Sequence, residues 1–271
     1  MSRFLRTAAL LSGAFIVLLI LAAGAGYGWL QTQHGRDWLA AKLSSASDGR
    51  VEIGHLTGAL PFHAEAAQLV LSDEAGPWLK ADNIEVSVRP AALLRWELEV
   101  EIAHADRIEL TRLPQQSHKG ETSHGLPSPP NLPISIQIDR LSAPEVAISR
   151  GVLGKEARLS VDASGALRRG SAQVVLSIQR LDAAGNARAN LNFDRQGLAL
   201  DAQLSDPSGL VGRMLGANED LPVALHALGQ GPLQNWRGTV EAAVADAPSH
   251  IAIVVDQNDW ALFFVTDPRQ Q

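Results

Sequence analysis

The sequence predicts a mainly β chain: one N-terminal membrane helix, then a long antiparallel meander interrupted by one or two short helices. Three observations carry that prediction. An uncharged apolar stretch lies within the first thirty residues. From Val51 onward the apolar residues recur at every second position. The composition is aliphatic rather than aromatic, with 46% hydrophobic residues but only 5% Phe, Trp and Tyr among 271. The net charge of −6 argues against nucleic-acid binding, which needs a basic surface. The absence of cysteine excludes disulfide frameworks, thiolate metal sites and cysteine nucleophiles.

Residues 1–33 form a short basic tip and the anchor. Arg3 and Arg6 precede a charge-free core, Ala8 to Leu30. As a helix this core is about 34 Å long, enough to cross a hydrocarbon layer of roughly 30 Å. Tyr27 and Trp29 stand at its far end, where aromatic rings prefer the membrane interface. Arginines before the segment, with no basic cluster after it, place the N-terminus in the cytoplasm and the rest across the membrane. Ala23-Gly24-Ala25 also fits a signal-peptide cleavage site, and Gly24 and Gly28 make a GxxxG spacing. Cleaved or anchored, the remaining chain is exported.

Residues 34–113 open with a helix over Asp37–Ser47, where Trp38, Leu39, Leu43 and Ala46 recur at helical spacing before Gly49. Strands follow. Val51 and Ile53 alternate with polar positions; Ile84, Val86 and Val88 oppose Glu85 and Ser87; Leu98, Val100 and Ile102 oppose Glu97, Glu99 and Glu101. That acidic stripe reads as the solvated face of one strand. Residues 114–133, with Pro127, Pro129, Pro130 and Pro133, read as a Pro/Ser-rich linker or loop.

Over residues 134–248 the alternation resumes. Ile134, Ile136 and Ile138, then Leu159 and Val161, then Val174, Leu176 and Ile178, then Leu191 and Phe193, then Leu198 and Leu200 each form one face of a strand. Turns are expected at Ser164-Gly165, Ala184-Gly185-Asn186 and Gln196-Gly197, and a short helix near 208–216 with Ser208 as N-cap. Residues 249–271 lose the alternation and read as an atypical end. Faces of this kind are buried either by a second sheet or by apolar ligand held against one open, curved sheet; periodicity alone does not separate the two.

No catalytic constellation is present: no GxSxG, HExxH or Walker pattern occurs, and the expectation is of a protein that is not an enzyme. His118, Glu121 and His124 cluster within the linker, where solvated side chains are the simpler reading than a metal site. Gly229-Gln230-Gly231-Pro232 reads as a turn, not a phosphate loop.

Two stretches carry a family resemblance. One comprises Thr57-Gly58-Ala59-Leu60-Pro61-Phe62, Gly76-Pro77-Trp78-Leu79, Val88-Arg89-Pro90 and Leu110-Thr111-Arg112-Leu113-Pro114. The other comprises Asp206-Pro207-Ser208-Gly209-Leu210 and Gly229 to Gly238 around Trp236. In this order, after an anchor, they resemble the N-terminal portion of the TamB family, inner-membrane subunits of translocation and assembly modules and relatives of the AsmA-like proteins. The resemblance implies an elongated, twisted β-groove in the periplasm of a Gram-negative bacterium. It implies phospholipid movement and outer-membrane protein assembly or secretion with a TamA-type barrel, and no cofactor. It also implies turn roles for Gly58, Pro61, Gly76, Trp78, Pro90, Gly231, Pro232 and Trp236. The alternating residues named above would line the groove. Members of that family are far longer, so the chain reads as a truncated or fragmentary form. A chaperone that pairs outer-membrane clients onto its strand edges, without lipid, is the rival expectation.

Overall fold

The computed structural model of the protein describes residues 28–29, 31–114, 134–214, 220–245, 247–256 and 259–265, the last two stretches by backbone alone. The anchor over 8–30, apart from Gly28 and Trp29, and the linker with its His118–Glu121–His124 cluster lie outside the described residues. Among the described residues no helix is long and apolar enough to cross a membrane.

The first helix spans Gln33–Ala46, beginning four residues before the expected start. Thr32 explains the difference: its Oγ1 accepts the Gly35 N–H at 3.2 Å, an N-terminal cap upstream of Asp37. The helix ends just before Gly49, as expected, and the left-handed backbone of that residue (φ 73°) lets its N–H reach Ser44 O at 2.8 Å.

Thirteen strands then form one sheet in strict chain order. They are β1 Val51–Thr57, β2 His63–Asp73, β3 Gly76–Val88, β4 Glu97–Leu110 and β5 Ser135–Ile148. Next come β6 Ala157–Arg168, β7 Ser171–Arg180, β8 Asn186–Asp194 and β9 Gly197–Asp206. The last are β10 Val223–Gly231, β11 Arg237–Val244, β12 Ala247–Asp256 and β13 Asp259–Val265. The first and last strands are not paired with each other, so the sheet is open. At a strand spacing of about 4.8 Å it extends roughly 58 Å along its twisted path.

One pair departs from the antiparallel expectation. Strands β4 and β5 run parallel, with Leu98 opposite Ile136 and Leu110 opposite Ile148. A parallel pair cannot be closed by a hairpin and needs a long connection. The Pro-rich stretch between them in sequence, expected as a linker or loop, supplies that length, and the strands on either side of it belong to one continuous sheet.

The expected turn at Ser164-Gly165 is also corrected, since both residues lie inside β6. Glycine is there for close approach: a Cβ on Gly165 would stand 2.8 Å from Gln173 O on the neighbouring strand. The chain turns instead at Gly170 (φ 76°). The helix near 208–216 spans Leu210–Met214. Asp206 rather than Ser208 caps it, accepting the Val211 N–H at 2.6 Å.

One end of the sheet carries the 58–62 turn, the short helix Pro90–Leu93 and the start of β5; the opposite end carries residues 149–156, 207–214 and 220–222. Among the described residues the fully buried apolar side chains are mostly alanines, including Ala81, Ala92, Ala105, Ala143 and Ala157. The larger aliphatic side chains therefore lie half-buried on the sheet rather than inside a conventional core.

Candidate functional site

The alternating residues gather on one face because directly paired residues point the same way. Val88 pairs with Val100, Val100 with Ile138, Leu98 with Ile136, and Ile136 with Leu167. Ile84 and Val86 pair with Ala105 and Ala103. Farther along, one row runs Val161–Ile178–Ala187–Leu204–Leu225–Ala242. A second runs Ala163–Leu176–Ala189–Ala202–Ala227–Val240. A third runs Gly165–Val174–Leu191–Leu200–Gly229–Gly238, and a fourth contains Phe193 and Leu198. Leu159 pairs with Val146. The backbone register carries the second row onward to positions Ile251 and Phe264. The apolar face thus passes from strand to strand through its central rows.

Two of the expected residues fall elsewhere. Ile102 pairs with Ser87 where the β3–β4 register slips, so it leaves the row held by Val100 and Ala103. An extra residue on one strand at such a bulge changes which face its neighbours occupy. Ile134 stands just before β5, outside any strand.

Of the expected turn residues, Gly58 (φ 95°), Pro61 and Gly76 (φ 106°) do lie at turns, and Pro90 opens the short helix. Trp78 instead lies inside β3, where its carbonyl accepts the Thr111 N–H at 3.1 Å. Gly231 closes β10, and Pro232 leads into the 3₁₀ turn Leu233–Asn235 before Trp236. Trp236 does more than turn the chain. It is 7% exposed and its Nε1–H donates to Leu198 O at 2.8 Å. Its ring sits over Gly229 and Gly238 on the apolar face, where a Cβ would come within 2.0 and 2.4 Å of it. The two glycines vacate the space that the indole fills. Periodicity could not reveal this, because the alternating pattern simply weakens at a glycine.

The opposite face is mostly polar. A shallow depression of about 750 Å³ there is lined by Gln173, Asn190, Asn192, Asp201, Gln230 and Arg237, together with the exposed Val175 and Leu228. The acidic stripe of β4 belongs to this face but is not simply solvated. Arg89 ion-pairs with Glu99 and with Glu101 (2.6 Å), and Arg95 with Glu97 (3.3 Å), while Glu99 is buried. His104 bridges Ser142 (2.8 Å) and Asp106 (2.9 Å). The hydrogen bond from His104, then the one from Asn83, hold the Asp106 carboxyl below its ordinary range. These pairs tie strands together and converge on no cleft. Among the described residues no group of three or more His, Asp or Glu could hold a metal ion.

An apolar face backed by a mostly polar one has the chemistry to meet hydrocarbon on one side and water on the other. The chain matches a family model described as YdbH-like, intermembrane phospholipid transport protein YdbH, over residues 16–258. No curated protein and no solved structure matches it. With most of its length covered by that match and an open sheet whose apolar rows suit acyl chains, this chain belongs to the YdbH-like family of intermembrane phospholipid transport proteins.

Proposed function

We propose that the apolar face of the sheet is the path along which phospholipid acyl chains move, with headgroups at its rim. The observation that supports this is the pairing of aliphatic residues across successive strands, which leaves no polar interruption in the central rows. Each CH₂ transferred from water to such a surface contributes about 0.8 kcal/mol, so binding needs no catalytic step. In this reading residues 8–30 hold the chain in the bacterial inner membrane, with the N-terminus cytoplasmic and the bulk periplasmic.

The test is photocrosslinking in membranes. A benzophenone amino acid at Leu176 or Ile136 should capture phospholipid, and one at Ser177, on the other face of β7, should not. Leu176→Asp should lower lipid capture by about tenfold. Equal capture from both faces, or none from Leu176, would sink the proposal.

A TamB-type role, in which the sheet pairs with a TamA-type barrel or assembles outer-membrane clients, is a second reading. The open sheet, in which β1 and β13 each pair on one side only among the described residues, favours it. Crosslinks from backbone positions of an edge strand to client strands, in place of lipid, would support it.

A further inference from the structure

The segment joining β3 to β4 presents its apolar side chains to solvent. Leu93, Leu94 and Trp96 are 46%, 87% and 75% exposed. Ordinary burial does not account for them, and the segment is not loose. Arg89 N–H donates to Glu99 O at 2.8 Å, Trp96 N–H to Leu93 O at 3.1 Å, and Ser135 N–H to Trp96 O at 3.1 Å. Trp96 itself is held in the left-handed region (φ 57°), a costly conformation for a bulky residue. A fixed, strained turn that displays Leu-Leu-Arg-Trp is a surface built to meet something apolar.

Its place in the fold identifies the partner. Gln31, which directly follows the apolar 8–30 stretch, donates its side-chain Nε2–H to Leu60 O at 2.6 Å. Leu60 lies in the 58–62 turn, and Phe62 O of that turn accepts the Val88 N–H at 2.7 Å, next to the start of the exposed segment. The chain therefore leaves the apolar stretch at the same end of the sheet that displays Leu94 and Trp96. We propose that this turn is a second membrane contact, inserting Leu93, Leu94 and Trp96 into the surface of the bilayer that residues 8–30 enter. Trp96 suits the interface, where an amphipathic ring sits at headgroup level. The nearby arginines are already neutralised by Glu97, Glu99 and Glu101, so insertion is apolar and independent of anionic lipid. The inference rests on the inner-membrane anchoring proposed above.

The natural sequence has no cysteine, so single-cysteine probes report one site each. The full chain is reconstituted in phosphatidylcholine nanodiscs with a polarity-sensitive fluorophore at Leu94→Cys, Thr7→Cys or Glu74→Cys, and quenched by lipid-borne nitroxide. Strong quenching is expected at positions 94 and 7, with position 74 at the far end of β2 at least fivefold weaker. Adding 0.5 M salt should leave the signal at 94 unchanged. Quenching at 7 without quenching at 94 overturns the contact while leaving the anchor intact, and points to a protein partner for the turn. Quenching at 94 without 7 supports the contact and removes the anchor; quenching at neither removes both. Trp96→Ala should halve quenching at 94 without shifting the thermal melt, because the exposed ring contributes little to the fold.

Discussion

The two halves of the sheet reach the same result by different means. From β6 to β11 every pairing is in simple register, and the apolar residues alternate without a slip. From β1 to β5 the apolar positions change parity inside strands. Leu79 and Ala81 share a row with Leu71 and Leu69, yet beyond Asn83 the apolar residues are Ile84, Val86 and Val88. The switch falls at left-handed residues, Asn83 (φ 51°) and His55 (φ 45°), and at bulges near Ser87/Val88, Ile138/Leu141 and Ala143/Val146. One continuous apolar face therefore does not need one continuous pattern. A local backbone kink restores the face each time the pattern shifts, and bulges add twist where they occur.

The largest effect is expected where charge enters the apolar face of the regular half, at Arg180 and Asp206. Arg180 occupies the row position opposite Leu159 and its side chain is 6% exposed. It is held by Asp182 at 2.9 Å, by the Ser208 hydroxyl at 2.5 Å and by the buried Asp206 at 3.8 Å. Arg180→Met restores the apolar pattern but strands Asp206. The expected loss is about 3 kcal/mol, read as a lower thermal midpoint of the full chain in detergent. An unchanged midpoint would mean that pattern outweighs pairing. Burial pushes the Asp182 carboxyl up, but Arg180 and the Arg158 backbone N–H outweigh it and hold it below its ordinary value. A depressed carboxylate stabilises above its unfolded pKa, and that contribution is lost as pH falls through the folded pKa. The acid sensitivity of the native chain should therefore be flatter in the Arg180→Met variant.

A smaller effect is expected where the regular half substitutes glycine for an aliphatic residue. Gly229→Ala drives a methyl group into the Trp236 ring and should cost about 2 kcal/mol through overpacking. Combined with Trp236→Ala, the two costs should fall short of their sum, since the second change removes the atoms the first one meets. Full additivity would show that the indole does not rest on the glycine.

The smallest effect separates the irregular half from the regular one. Asn83→Val should cost about 1–2 kcal/mol, because a β-branched residue fits the left-handed region poorly. Ser164→Val, within the evenly paired β6, should change stability by less than about 0.5 kcal/mol. Asn83→Gly should keep the backbone conformation and lose only the 2.9 Å hydrogen bond from Nδ2 to Asp106. In that variant the Asp106 pKa, followed by NMR, should rise toward its ordinary value, with the His104 bond still holding it partly down.

The contrast also explains how far the residues could be read directly. In the regular half, Val174, Leu176, Ile178, Leu191, Phe193, Leu198 and Leu200 share one face because a period of two survives wherever neither strand carries an extra residue. Ile102 departs for the opposite reason, lying beside a bulge that no local pattern announces. Capping was legible only in part: Ser208 has the right chemistry but Asp206 reaches the free N–H, and the helix expected from Asp37 starts earlier because Thr32 caps it. The parallel β4–β5 pair was hidden because strand direction leaves no trace in alternation.

That this chain is mainly β, with an aliphatic face on its strands, is written in its residues, because side-chain alternation is a local property of extended backbone. Its turn motifs resemble the TamB family, whereas the match over residues 16–258 is to the YdbH-like family. The three-dimensional fold joins the thirteen described strands in chain order into one open sheet. It alone put a tryptophan over two glycines and a Leu-Leu-Arg-Trp turn beside Gln31. Those outcomes depend on hydrogen bonds and packing between residues far apart in the chain, and no period along the chain encodes them.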